Sequence, residues 1–155
     1  MTTTGEEYLV RKVLIATHGY LADGIKNTVG ILTGKEGCIT CVDAYVDESD
    51  YTPLIQSFID GVEPEDEAVI FTDLYGGSVN QRVVQLKPPE KTNLFLITGF
   101  NLPVVLGVVL SDEPITGECL DEIVGHSAKQ LLRLPKKARR VPQMSEAERE
   151  EAFFA

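Results

Sequence analysis

From Lys12 onward the chain alternates short β-rich runs with amphipathic helical stretches, and this alternation limits the possible folds more than any other feature. Parallel strands cannot be joined by a tight hairpin; each needs a crossover long enough to hold a helix. Repeated strand–helix units therefore predict an α/β protein with an open, mainly parallel sheet flanked by helices.

The first unit is a strand over Lys12 to Thr17, followed by a helix in which Leu21, Ile25, Val29 and Leu32 recur at near-helical spacing, with Gly34 and Gly37 where the chain must turn. A second strand is predicted over about Ile39 to Val46. Its helix has Pro53 in the first turn, Leu54, Ile55, Phe58 and Ile59 facing inward, and Gly61 at the close. The third strand, Ala68 to Thr72, runs into Asp73-Leu74-Tyr75-Gly76-Gly77-Ser78, after which Val79, Val83 and Leu86 mark a helix. A fourth strand, Asn93 to Thr98, leads to Asn101 and Pro103 as cap and first turn of a helix. Its residues Val104 to Leu110 are almost wholly apolar, which requires burial on most sides by the protein's own core or by another subunit. A last long helix is expected from Gly117 to about Leu132. Beyond the Pro135 to Pro142 stretch, Ser145 and Glu148 form a capping box for a short tail helix.

A length of 155 residues suits one compact core, and 43 % apolar with 25 % charged residues is ordinary for a globular protein. The predicted organisation is an N-terminal extension over 1–11, a single domain over 12–142 and a tail over 143–155. A net charge of -10 argues against nucleic acid or an anionic membrane as the main partner. No apolar run approaches the ~20 residues of a membrane span, and the first residues lack the pattern of a signal peptide, so a cytoplasmic protein is expected. Cys38, Cys41 and Cys119 are too few for a disulfide framework and are expected as free thiols.

Ligands of open α/β sheets gather at the carboxyl ends of the strands, where strand order reverses. In a flavodoxin-like order 2-1-3-4, strands one and three are neighbours, so His18 and Asp73 should face each other there. His18 lies between a strand end and a helix start, where free N–H groups and the helix dipole favour an anion and disfavour a protonated ring. A neutral imidazole in that place is a nucleophile toward phosphorus. Asp73 is suited to fix the tautomer by accepting a hydrogen bond from one ring nitrogen, leaving the distal nitrogen to attack. Gly76 and Gly77 let the chain turn closely beneath the site, and the Ser78 hydroxyl with nearby amides offers donors to phosphoryl oxygens. No set of metal ligands accompanies these residues.

Thr17-His18-Gly19, Thr72 to Ser78, and Gly99-Phe100-Asn101-Leu102-Pro103, each at a strand end, together resemble the successive active-site segments of the IIA components of mannose-family (mannose, fructose, sorbose) sugar phosphotransferase systems. The resemblance covers about residues 12 to 132. It implies a phosphohistidine at His18, Asp73 as its partner, and phosphoryl binding by Gly19, Gly76, Gly77 and Ser78, with no metal or cofactor. It further implies the histidine phosphocarrier protein as donor, a IIB component as acceptor, and membrane contact only through a IIC/IID transporter. Relatives of this kind are dimers that exchange a C-terminal strand; Ala138 to Val141 is the candidate segment, though basic and short.

Other readings are a flavodoxin-like module that binds an anion or flavin without turnover, and the phosphotransfer subunit of a dihydroxyacetone kinase. A receiver-type signalling domain would need an acidic cluster where Thr17 and His18 stand. Cys38-Ile39-Thr40-Cys41 has redox spacing, but it enters a strand, where the two side chains should point to opposite faces, so core packing is expected. The stretch Gly30 to Glu36 follows a helix and lacks P-loop spacing. His126, in the last predicted helix, has no acidic partner nearby in sequence and is expected at the surface or in packing.

Overall fold

A computed structural model describes residues 10–135 and 145–154. Four parallel strands form one sheet in the order β2-β1-β3-β4, with β1 at Arg11–His18, β2 at Ile39–Ala44, β3 at Glu67–Thr72 and β4 at Leu94–Thr98. The helices are α1 (Leu21–Thr33), α2 (Thr52–Asp60), α3 (Ser78–Leu86), α4 (Leu102–Leu110), α5 (Gly117–Ala128) and α6 (Glu146–Phe154). This is the expected flavodoxin-like order, and the reversal falls between β1 and β3.

Alternation along β1 divides the interior into two layers. Val13 and Ile15 join Val69, Phe71 and residues of α1, α4 and α5 on one face, while Leu14 and Ala16 join Val42, Ala44 and residues of α2 and α3 on the other. All six residues of β3 are buried, as a central parallel strand covered on both sides requires. In α4, Val104, Val105, Val108 and Val109 are buried. A methyl group at Gly107 would lie 2.6 Å from Ile123 Cγ2, so only glycine lets α4 and α5 approach this closely.

The expected caps are present. Asn101 accepts from the Val104 N–H at 3.0 Å, Gly34 closes α1 in the left-handed conformation at φ 67°, and the Ser145/Glu148 box forms reciprocal bonds at 3.2 and 2.7 Å. Helix α5, however, ends at Ala128, four residues short of the expected Leu132: the Asn101 amide group and the Gln130 N–H both donate to the Ser127 carbonyl, closing the helix there. Strand β2 also ends early, at Ala44, because Tyr45 adopts φ 65°.

The two cysteines of the C-x-x-C stretch do not take opposite faces of a strand. Cys38 belongs to a 3₁₀ turn over Glu36–Cys38 that precedes β2, and both side chains pack against the same core layer. Burial raises both thiols, Cys41 to about 12 with Asp23 adding to the effect, so neither is a thiolate at neutral pH. The candidate exchanged strand over 138–141 lies outside the described residues. Among the described residues, no helix is long and apolar enough to cross a membrane.

Candidate functional site

Parallel pairing of β1 with β3 brings the ends of these strands side by side, with Ala16 opposite Thr72. Beyond that pair β1 runs on to His18, still opposite Ala44 of β2, while β3 ends at Thr72, and His18 meets Asp73 at the carboxyl edge of the sheet. Its backbone N–H donates to Asp73 Oδ2 at 2.9 Å, and ring Nδ1 lies 3.0 Å from the same oxygen and 3.2 Å from Oδ1. The Leu74 N–H donates to Oδ1 at 3.0 Å. Burial pushes the Asp73 carboxyl up, but the hydrogen bonds from the His18 backbone and ring outweigh it and hold the group below the ordinary carboxylate range. An ionised carboxylate only accepts, so in the neutral imidazole Nδ1 carries the proton and Nε2 keeps its lone pair.

Nε2 faces away from Asp73 and lies 3.3 Å from Ser78 Oγ. Ser78 opens α3, whose preceding residue, Gly77, provides no side-chain cap, so first-turn N–H groups of the helix are left for an outside acceptor. The His18 side chain is 37 % exposed and that of Asp73 11 %: the ring is accessible and its partner sheltered.

The predicted site residues His18, Gly19, Asp73, Gly76, Gly77 and Ser78 all lie around this edge, but not all in the form expected. The amides of the three glycines are already committed: Gly19 N–H donates to Ala44 O at 2.8 Å, Gly76 N–H to Asn80 Oδ1 at 3.1 Å and Gly77 N–H to Leu74 O at 3.0 Å. Their contribution is shape. Gly19 and Gly76 supply left-handed turns at φ 61° and 73°, and a methyl group on Gly77 would press on Leu74 at 3.2 Å and reach within 3.6 Å of His18 Cε1. The donors left for an anion are those of Ser78 and the start of α3.

Sequence reasoning missed three contributors. Tyr45, just past β2, stacks its ring on the imidazole with centroids 5.4 Å apart and planes 13° from parallel, and its hydroxyl donates to Ser78 Oγ at 2.9 Å. Asn80 ties the loop to the sheet, accepting from Gly76 N–H and donating to Thr72 Oγ1 at 3.2 Å. Thr17, fully buried, accepts from Ala22 N–H at 2.9 Å and so caps the first turn of α1 from the strand end. Thr17 stood in the quoted Thr17-His18-Gly19 segment with no role of its own; Tyr45 and Asn80 carry no local signal. His126 is exposed on α5, as expected of a residue outside the site. Among the described residues, no group of three or more His, Cys, Asp or Glu side chains is arranged to hold a metal ion.

Residues 12–124 match the family model for the PTS system fructose IIA component, EIIA-man, a span of more than half the chain. The chain belongs to this family. It is therefore a IIA phosphocarrier component of a sugar phosphotransferase system. Solved structures agree with the fold. A protein described as a permease of the phosphoenolpyruvate-dependent sugar phosphotransferase system from Klebsiella pneumoniae is 26 % identical with a TM-score of 0.72, the match covering 86 % of this chain and 95 % of that one. The IIA protein associated with the fucose utilization operon of Streptococcus pneumoniae is 23 % identical with a TM-score of 0.69, over 81 % of this chain and 93 % of that one. Component EIIA from Streptococcus agalactiae is 22 % identical with a TM-score of 0.67, over 79 % and 96 %.

Proposed function

We propose that this IIA component carries the phosphoryl group on His18 Nε2, accepting it from the histidine phosphocarrier protein and passing it to a IIB component during sugar uptake. The observation that carries this reading is the division of labour on one ring: Asp73 holds Nδ1 while Nε2, with its lone pair, points to Ser78 at the uncapped start of α3.

In the transfer, the lone pair of Nε2 attacks phosphorus as the P–N bond to the donor's histidine breaks, and that donor nitrogen keeps the bonding pair. The His18 ring gains positive charge, which the Asp73 carboxylate offsets while the proton stays on Nδ1. Ser78 Oγ and the first amides of α3 are placed to receive the phosphoryl oxygens, with the helix dipole in their favour. Transfer onward reverses these events with the acceptor's nucleophile. Catalysis here is positioning and charge stabilisation, with no metal or cofactor assigned.

The same reading assigns the phosphocarrier domain to residues 12–142, a cytoplasmic location, a homodimer, and membrane contact only through the transporter subunits. The test is to incubate the protein with phosphoenolpyruvate, enzyme I and the histidine phosphocarrier protein and follow its intact mass. One acid-labile phosphoryl group on the native chain, absent from His18→Ala, is the expected result; no adduct from competent donor proteins would overturn the assignment.

A further inference from the structure

At three strand ends of this sheet the chain turns through a glycine in the left-handed conformation: Gly19 after β1, Gly76 in the loop after β3, and Gly99, at φ 68°, after β4. At the fourth, the end of β2, the residue is Tyr45 at φ 65°, the one non-glycine with positive φ among the described residues. A bulky side chain is strained there, and glycine would serve the turn better. The tyrosine side chain is not retained for burial either, since Tyr45 is 60 % exposed. Both of its ends are nevertheless engaged at the site. The ring lies almost parallel to the His18 imidazole and meets Tyr51 edge-on at 5.5 Å, and the hydroxyl donates to Ser78 Oγ. That bond lowers the Tyr45 hydroxyl from its ordinary range.

The hydrogen-bond directions run one way. Tyr45 O–H donates to Ser78 Oγ at 2.9 Å, which leaves the Ser78 proton to point away from the phenol, toward the space in front of Nε2, 3.3 Å from Oγ, where a phosphoryl oxygen would lie. With Asp73 on Nδ1 and the phenol ring against its face, the imidazole is fixed at one nitrogen and on one side, and Nε2 stays open.

We propose that Tyr45 is a positioning residue for phosphoryl transfer, its ring holding the plane of the His18 imidazole and its hydroxyl aiming the Ser78 hydroxyl at the phosphoryl group that Nε2 carries. This rests on His18 being the phosphoryl carrier. The strained backbone is what permits the arrangement: turning the chain at this point brings the side chain back over the strand ends instead of out into solvent.

The experiment compares Tyr45→Phe, Tyr45→Gly and the native chain for the rate of phosphoryl uptake from the phosphorylated histidine phosphocarrier protein over a range of its concentration, with thermal melting of each. Phe keeps the stack and removes the hydroxyl; Gly removes both and relieves the backbone. The expected result is a fall in the saturated rate of about fivefold for Phe and about thirtyfold for Gly, at little-changed KM, while Gly melts no lower than the native chain. An unchanged saturated rate in the Gly variant overturns the proposal, as does a rise in KM at constant rate, which would make Tyr45 part of the protein-docking surface only. If the native chain itself takes no phosphoryl group, the carrier reading falls first, and that outcome is distinct from native uptake matched by the variants.

Discussion

The two edges of the sheet treat charge in opposite ways. At the amino edge, the two strong donors that open β1, Arg11 and Lys12, meet acceptors. Arg11 binds Glu67 at 2.7 Å and reaches the carbonyls of Val108 and Glu113 at 3.0 and 3.1 Å, Glu67 accepts the Ile115 N–H at 2.9 Å, and Lys12 pairs with Asp66 at 2.6 Å. At the carboxyl edge, Nε2 of His18 keeps its lone pair, α3 starts uncapped, and two carboxyls, Asp23 and Asp43, sit beside each other with a buried Asp43 oxygen lacking a partner. The Arg11 and Lys12 networks tie one edge of the sheet together, although a buried Glu36 oxygen there lacks a partner; the groups around His18 leave the other edge open to an outside partner.

The sharpest way to break this contrast is at His18. His18→Ala should abolish phosphoryl uptake while leaving the melting curve almost unmoved, because the ring is partly exposed and makes no core contact essential to the sheet. Retained uptake, read by intact mass, would move the chemistry elsewhere. Next in size, Asp73→Asn keeps the shape but offers an amide that can present its N–H₂ to the ring and favour the wrong tautomer. A fall of about a hundredfold in the transfer rate is expected by stopped mixing with the phosphorylated donor.

The amino edge should respond in the reverse sense. Glu67→Ala takes the carboxylate from the Arg11 guanidinium, which keeps only carbonyl acceptors, and strands the buried Ile115 N–H, so urea unfolding should show a loss of about 2–4 kcal/mol, with phosphoryl transfer intact in the protein that remains folded. A stability change below about 0.5 kcal/mol would mean that the network is no stronger than an ordinary surface ion pair.

The smallest effect expected is one of pH. Burial, with the Asp23 carboxyl beside it, pushes Asp43 up to about 6, whereas an unfolded aspartate titrates near ~3.9. Between those values the native state binds more protons than the unfolded one, so this pair adds stability as pH falls from 7 toward 5 and loses it as pH rises through about 6. Asp66 behaves oppositely: the hydrogen bond from Lys12 holds it low, and its contribution disappears only in more acid solution. Melting temperature should therefore rise by a few degrees between pH 7 and pH 5, and Asp43→Asn should flatten that slope. A slope that survives the substitution would assign it to another group.

Much of this molecule is legible in its sequence. The strand–helix alternation required a parallel sheet, Asn101 and Ser145 announced their helices by capping chemistry, and His18, Asp73 and Ser78 followed from the ends of strands one and three. The misreadings share a cause. Helix α5 stops at Ala128 because Asn101, on a different element, donates to the Ser127 carbonyl; β2 stops at Ala44 because Tyr45 turns where periodicity continues; and Cys38 leaves the strand for a 3₁₀ turn. In each case a contact or a backbone angle decides, and neither appears in apolar spacing.

Periodicity and turn chemistry are local properties, so the sequence by itself determined the element types, their order, and the placing of a histidine and an aspartate on strand ends that a parallel sheet makes neighbours. Only the tertiary structure decided which donors remained free. The glycine amides at the site are spent on Ala44, Asn80 and Leu74, and a tyrosine 27 residues beyond His18 supplies the ring above it and the bond to Ser78. Hydrogen-bonding capacity is fixed by residue type, but its use depends on which groups the packed chain brings within 3 Å of each other, and that is set by every element at once.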